Sequence, residues 1–208
     1  MIDATWILFI VASLVLIVTP GQDMVLVMSR SIAQGAHAGV ATAAGVSVGL
    51  VGHTILATVG LGALLRASEW LFLALKLVGA VYLVYVGIQL LRTRHAELAF
   101  AGGARKSPGR LFVEGALSNL SNPKIAVFYF AFLPQFVTPG AAHPTLSIFV
   151  LGLVFAGLTF VVKGPVGLCA GMLSGALRSR PRALVWLTRT SGAVLVGLGV
   201  GLAFERRA

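Results

Sequence analysis

An all-α membrane protein of six transmembrane helices, arranged as a 3+3 inverted repeat, is the fold class this sequence predicts, and three observations predict it. Hydrophobic residues make up 58% of the 208-residue chain and charged residues 11%, with a mean hydropathy of +0.96, outside the range of soluble domains. At about 20 residues per helical span, that length holds roughly six spans as one transmembrane domain over residues 1–208, with no room for a separate soluble one. Two proline-centred interruptions, at Pro20 and Pro123, fall in matching apolar runs and break helices 1 and 4.

The first span runs from about Ala4 to Val18, breaks at Thr19-Pro20-Gly21-Gln22-Asp23-Met24, and resumes to about Ala33. A broken helix within lipid requires protein or a water-filled cavity to satisfy the freed backbone groups. Span two, about Gly39 to Leu65, carries Gly45 and Gly49 in a small-xxx-small pair, and Gly35 with Gly39 forms another at its entrance, a spacing that permits close helix approach. Span three covers about Trp70 to Leu91. The half-repeats, about 1–94 and 110–205, are joined by a basic loop over residues 92–110 that holds Arg92, Arg94, Arg105, Lys106 and Arg110. Span four, about Leu111 to Val137, is interrupted at Asn119-Leu120-Ser121-Asn122-Pro123-Lys124. Span five, about Thr145 to Leu173, is expected to bend at Lys163-Gly164-Pro165. Span six runs from about Ala183 to Phe204.

A constant offset lays Pro123 on Pro20 and Gly152 on Gly49, and a longer one lays Gly192-Ala193-Val194 on Gly79-Ala80-Val81 and Arg189 on Lys76. Three spans per half give the halves opposite orientations, the arrangement of carriers that alternate access around a midplane site. The formal charge of +10 would suggest nucleic acid in a soluble protein, but the cations cluster at span ends and loops, where they set topology and face anionic lipid. Their distribution places the odd-numbered loops in the cytoplasm and both termini outside it, with Arg206 and Arg207 a mild contradiction. The first apolar run lacks the basic region of a cleavable signal peptide and is expected to be retained. The lone Cys169 rules out a disulfide or a two-thiol relay within the chain.

Asp23 is the sharpest functional candidate, because a carboxylate beside a mid-membrane break needs a partner, a substrate or water. It could cap the resumed half-helix, contact a substrate ammonium or carry a coupling proton. Lys124 stands at the start of the other resumed half-helix, where the dipole disfavours a cation and an anionic ligand would answer it. Asn119 and Asn122 can bind substrate or satisfy freed backbone groups; Pro20, Gly21 and Pro123 shape the two lips of the site. Lys163, inside span five, could pair with Asp23 or Glu114. Lys76 is a snorkelling or pairing residue, and His53 is either structural or a titrating group. There is no Walker loop, no helix with metal-ligand spacing and no nucleophile elbow, so neither a cofactor, a metal nor an enzymatic reaction is expected.

Pro20-Gly21-Gln22-Asp23, the glycine-rich second span, Lys76-Leu77-Val78-Gly79-Ala80-Val81-Tyr82-Leu83 and Asn119-Leu120-Ser121-Asn122-Pro123-Lys124 together resemble the LysE/RhtB family of amino-acid exporters, along nearly the whole chain. The resemblance implies a bacterial inner-membrane exporter of amino acids or derivatives, driven by the proton gradient. The chain departs from the family's commonest form at Gln22, where a second proline often stands. The expectation is proton-coupled antiport in which the substrate ammonium meets Asp23 and its carboxylate meets Lys124. The expected partners are the lipid bilayer, an amino-acid substrate and protons; the glycine faces leave a homo-oligomer open. A passive channel or a membrane scaffold is the alternative, although a scaffold has no need of matched prolines with opposite charges.

Overall fold

The computed structural model describes residues 4–93, 105–137, 141–178 and 181–204. Within them the chain is helical: α1 (Ala4–Val18), α2 (Gln22–Gln34), α3 (Ala36–Ala67), α4 (Glu69–Leu91), α5 (Pro108–Leu120), α6 (Pro123–Phe132), a 3-10 turn (Leu133–Phe136), α7 (Pro144–Arg178) and α8 (Pro181–Phe204). The expected linker falls mostly outside the described residues, as do the ends of the chain.

Each boundary has a local cause. The first span gives way at Thr19 to Gly21, and α1 and α2 meet at 52°. Gly35 ends α2 and begins α3 at φ 97° and ψ 171°, a region open essentially to glycine alone. Gly35 is therefore a cap, and the packing partnership expected of it with Gly39 is not used; a Cβ there would meet nothing within 4 Å. Ser107 caps α5, with Pro108 in its first turn. The second interruption is built the same way: Asn122 Oδ1 accepts the Lys124 N–H at 3.0 Å, and Pro123 takes a first-turn position where its missing N–H costs nothing. At Lys163-Gly164-Pro165 the expected bend does not break the helix, since α7 runs unbroken through Pro165.

Among the described residues three helical stretches are long and apolar enough to cross a bilayer, Ala36–Leu64, Leu73–Leu91 and Pro144–Ala170, or four if the bent pair Thr5–Val18 with Gln22–Gln34 is one span. In α8 the apolar part, Val185–Gly201, is shorter than a span, and α5 and α6, of 13 and 10 residues, are each too short to cross alone. Large apolar side chains face outward, among them Val81, Val161, Trp70 and Trp186. So much exposed apolar surface fits lipid, not water.

Glycine contacts fix the helix directions. Gly39 abuts Gly167, Gly152 abuts Thr54 and Gly62 abuts Thr145, so α3 and α7 are antiparallel. Gly87 against Gly192 and Gly199 against Ala80 make α4 and α8 antiparallel as well. In contrast, Gly45 meets Phe112, Gly49 meets Ala116 and Gly52 meets Leu120, so α3 and α5 run parallel. The approach at Gly45 is closest: a Cβ there would lie 2.0 Å from the Phe112 carbonyl oxygen.

The core is aromatic where α1, α6, the 3-10 turn and α7 converge. Phe9 packs edge-on to Phe136 at 5.1 Å, Phe128 stacks on Phe132 at 4.9 Å, and Tyr129 meets Phe155 at 5.6 Å. This cluster holds α1 against α6. Elsewhere α2 and α5 are joined by an ion pair from Arg30 to Glu114 at 3.2 Å. The two breaks lie between these attachments.

Candidate functional site

The breaks meet. Asn122 Nδ2, at the start of α6, donates to Gln22 Oε1, at the start of α2, at 3.1 Å. Beside this bridge lies a cavity of about 300 Å³, at the small end of the roughly 300–1,000 Å³ range of small-molecule pockets. Its polar end comprises Thr19, Gln22, Asp23, Asn122, Lys124 and Lys163; most of the remaining wall is apolar, drawn from α1, α4, α6, α7 and α8.

Asp23 stands in the first turn of α2, buried, and its position follows from Gly21, whose extended backbone starts that helix. It lies where the helix dipole favours a negative charge, and among the described residues its hydrogen bonds go to other helices. Its Oδ2 accepts from Asn119 Nδ2 at 2.9 Å and from Lys163 Nζ at 3.2 Å. Its Oδ1 is buried and has no hydrogen-bond partner among the described residues. The ion pair with Lys163 leaves the buried site without net charge, which is what makes two ionised groups tolerable at this depth.

Asn119 is fully buried at the last turn of α5. It comes within reach of Asp23 because Gly49 has no side chain: a Cβ at Gly49 would lie 2.8 Å from Asn119 Cβ and 2.9 Å from its Oδ1. His53, one turn further along α3, is hydrogen-bonded through Nε2 to the Asn119 main-chain oxygen at 3.1 Å. His53 thus meets the end of α5 and is not among the described residues that line the cavity.

The remaining expected residues divide between this site and elsewhere. Pro20 and Gly21 line the cavity, and Pro123 is exposed between the lining residues Asn122 and Lys124. Lys124 reaches the cavity from an exposed position, and among the described residues no carboxylate lies within ion-pair distance of it. Of the two partners open to Lys163, the structure selects Asp23. Glu114 belongs to a separate cluster at the far end of α2, where it accepts from Lys106 at 2.6 Å, Arg30 at 3.2 Å and Arg110 at 3.3 Å. Lys106 N–H also donates to Gln34 Oε1 at 2.7 Å, so the C-terminal half of α2 is tied both to α5, through Arg30 and Glu114, and to the segment just before α5. Lys76 falls on α4, and its side chain lies outside the described residues.

Gln22 was missed as a site residue. Its only signal was the departure from an expected proline, and that departure supplies the carboxamide that joins the breaks. Thr159, one turn before Lys163 on α7, also lines the cavity, but its hydroxyl bonds the Phe155 carbonyl at 2.8 Å, a role no sequence pattern separates from ordinary helix packing.

Comparison with known proteins identifies the family. The sequence model of the LysE type translocator family matches residues 14–206. A homoserine/homoserine lactone efflux protein of Salmonella typhimurium is 33% identical, with 98% of each chain covered. An uncharacterised membrane protein of Pseudomonas aeruginosa is 32% identical over 94% of this chain and 93% of its own. A leucine efflux protein of Klebsiella pneumoniae is 26% identical over 95% of this chain and 94% of its own. No solved structure matches. Aligned from end to end with efflux proteins, this chain belongs to the LysE/RhtB family of LysE type translocators and is a membrane transporter, not an enzyme.

Proposed function

We propose that this protein is a secondary exporter of amino acids with uncharged side chains, or close derivatives of them, working in the inner membrane by proton-coupled antiport. The observation that carries the proposal is Asp23, a buried carboxylate at the meeting point of two interrupted helices, lining a cavity of about 300 Å³. Among the described residues it is the sole carboxylate of that wall, and it already faces Lys163, so a second cationic group on the substrate side chain would find no counter-charge there. The apolar remainder of the wall suits an uncharged side chain, in keeping with relatives named for homoserine and leucine efflux.

In this proposal α1 with α2 and α5 with α6 are the broken first and fourth spans of a 3+3 inverted repeat. Support comes from the antiparallel pairing of α3 with α7 and of α4 with α8, the relation a two-fold axis in the membrane plane gives to equivalent spans. The substrate ammonium binds Asp23, while Lys124 and Lys163 offer the cationic side of the site. Protons entering from the periplasm neutralise Asp23, release the substrate outward and reset the carrier.

Purified protein in vesicles loaded with unlabelled L-leucine or L-homoserine tests this directly. Counterflow of the labelled amino acid with trans-acceleration, and no counterflow of L-lysine, is the expected result. Uptake without trans-acceleration would instead identify a passive channel. An imposed inward proton gradient should drive export by the natural protein and not by Asp23→Asn, and equal export by both would remove Asp23 from the coupling.

A further inference from the structure

We propose that Lys163, rather than Lys124, receives the substrate carboxylate, and that the Asp23–Lys163 ion pair is the resting form of a site that a zwitterion opens by inserting between the two charges. The inference rests on the export proposal above and assigns a residue role within it.

Charge balance decides between the two lysines. Asp23 and Lys163 are 8% and 7% exposed, and each is the other's ion-pair partner. A substrate ammonium that took Asp23 while its carboxylate went to Lys124 would leave Lys163 buried and unanswered, and an uncompensated buried charge is strongly unfavourable. A zwitterion placed between the pair replaces one ion pair with two and adds no net charge. Empty and loaded sites are then both neutral, so burial penalises neither.

Geometry provides the space. Both residues line the cavity, and Asp23 uses only Oδ2 for its two bonds. Its buried Oδ1 has no donor among the described residues, and an ammonium brings three. Asn119 holds the carboxylate through Oδ2 at 2.9 Å, so Asp23 stays in place when Lys163 leaves. The lysine stem is flexible, and its head can turn from Asp23 to a carboxylate entering the same cavity. Lys124, exposed at the cavity edge, suits first capture of the anionic group and not its final position.

Inhibition of vesicle counterflow by a substrate and by its carboxamide separates the possibilities, since the amide keeps the ammonium and lacks the carboxylate. With L-leucine against leucinamide, and L-homoserine against its amide, the natural protein should prefer the amino acid by about tenfold or more, the worth of one hydrogen bond to a charged group. Lys163→Gln should bring the two within about threefold of each other, whereas Lys163→Arg and Lys124→Gln should keep the preference. If Lys163→Gln does not accumulate in the membrane, Lys124→Gln alone carries the comparison: a preference it keeps supports Lys163, and a preference it loses overturns the assignment. A preference that survives loss of Lys163, or one erased by Lys124→Gln, overturns the assignment. Absence of any counterflow by the natural protein overturns the export proposal beneath it.

Discussion

At the scale of single residues, the buried pair of Asp23 and Lys163 makes a prediction about stability that is independent of transport. Removing one partner of a buried pair typically costs about 3–5 kcal/mol, because the other charge stays behind, whereas replacing both with neutral groups is often close to neutral. Asp23→Asn and Lys163→Met should therefore each lower the melting temperature of the purified protein substantially. The double variant should recover most of the loss, and additive effects would show that the pair is not energetically coupled. Gly49→Ala tests the support of the same carboxylate. Its Cβ would fall 2.8 Å from Asn119 Cβ, so Asn119 has to move. The expected cost is about 1–3 kcal/mol, with weaker counterflow from a protein that still inserts. That Asp23, Lys124 and Asn122 come to one cavity, with Asn119 bonded to Asp23, follows a pattern visible in the sequence, charged and amide side chains beside prolines in apolar runs. The partner of Lys163 was not legible there, since helical spacing gives the face on which a residue lies but not what the opposing helix brings to it. The same limit left Glu114 as an alternative partner for Lys163, although it belongs to the cluster at the far end of α2.

The element that decides how the site is held is α2, a 13-residue helix set between Gly21 and Gly35. Asp23 ties its first turn to α5 and α7. Further along, Arg30 is paired with Glu114, the Ser31 hydroxyl donates to the Gly167 carbonyl, and Gln34 accepts from Lys106. Gly35→Ala forces a side chain into backbone geometry available almost only to glycine, at about 1–3 kcal/mol, and should lower thermal stability without touching any cavity residue. Gly45→Leu strikes the junction of α3 and α5, where even a methyl would overlap the Phe112 carbonyl. Because that overlap is with backbone, the helices must separate, and poor membrane accumulation of the variant is expected on a quantitative blot; normal accumulation would mean that the helices part easily. The helix boundaries next to Pro20 and Pro123 were legible from proline and glycine, and the Gly45 and Gly49 pair was legible as a packing face. Pro165 was not, because a proline that opens a helix and one that a helix absorbs look alike in sequence. What separates them is surroundings: Pro123 follows Asn122, whose side chain caps the next helix, while Pro165 lies within a helix packed along α3, with Gly167 against Gly39.

At the scale of the whole molecule, outward-facing apolar side chains and buried polar ones give a chain whose environment is lipid and whose polar chemistry is internal. Buried groups cannot reveal which side of the membrane each end faces; the distribution of cations supplies that part of the proposal. Arg105, Lys106 and Arg110 precede or begin α5, whereas Ala141, Ala142 and His143 before α7 carry no Lys or Arg. Attraction of Lys and Arg to the cytoplasmic side then places the start of α5 inside and the start of α7 outside. The chain offers a direct test, because Cys169 is its single cysteine. In a Cys169→Ser background, Gly109→Cys and Ala142→Cys each introduce one thiol at an exposed position, and a side chain at Gly109 meets nothing within 4 Å. A membrane-impermeant maleimide added to intact spheroplasts should label Ala142→Cys and spare Gly109→Cys, and inside-out vesicles should give the reverse. Labelling of both from one side would mean that α5 and α6 do not cross together as the fourth span, and the inverted repeat would fall with it. Labelling of Gly109→Cys alone in spheroplasts would keep six spans and invert them, and the proton would then have to reach Asp23 from the opposite face.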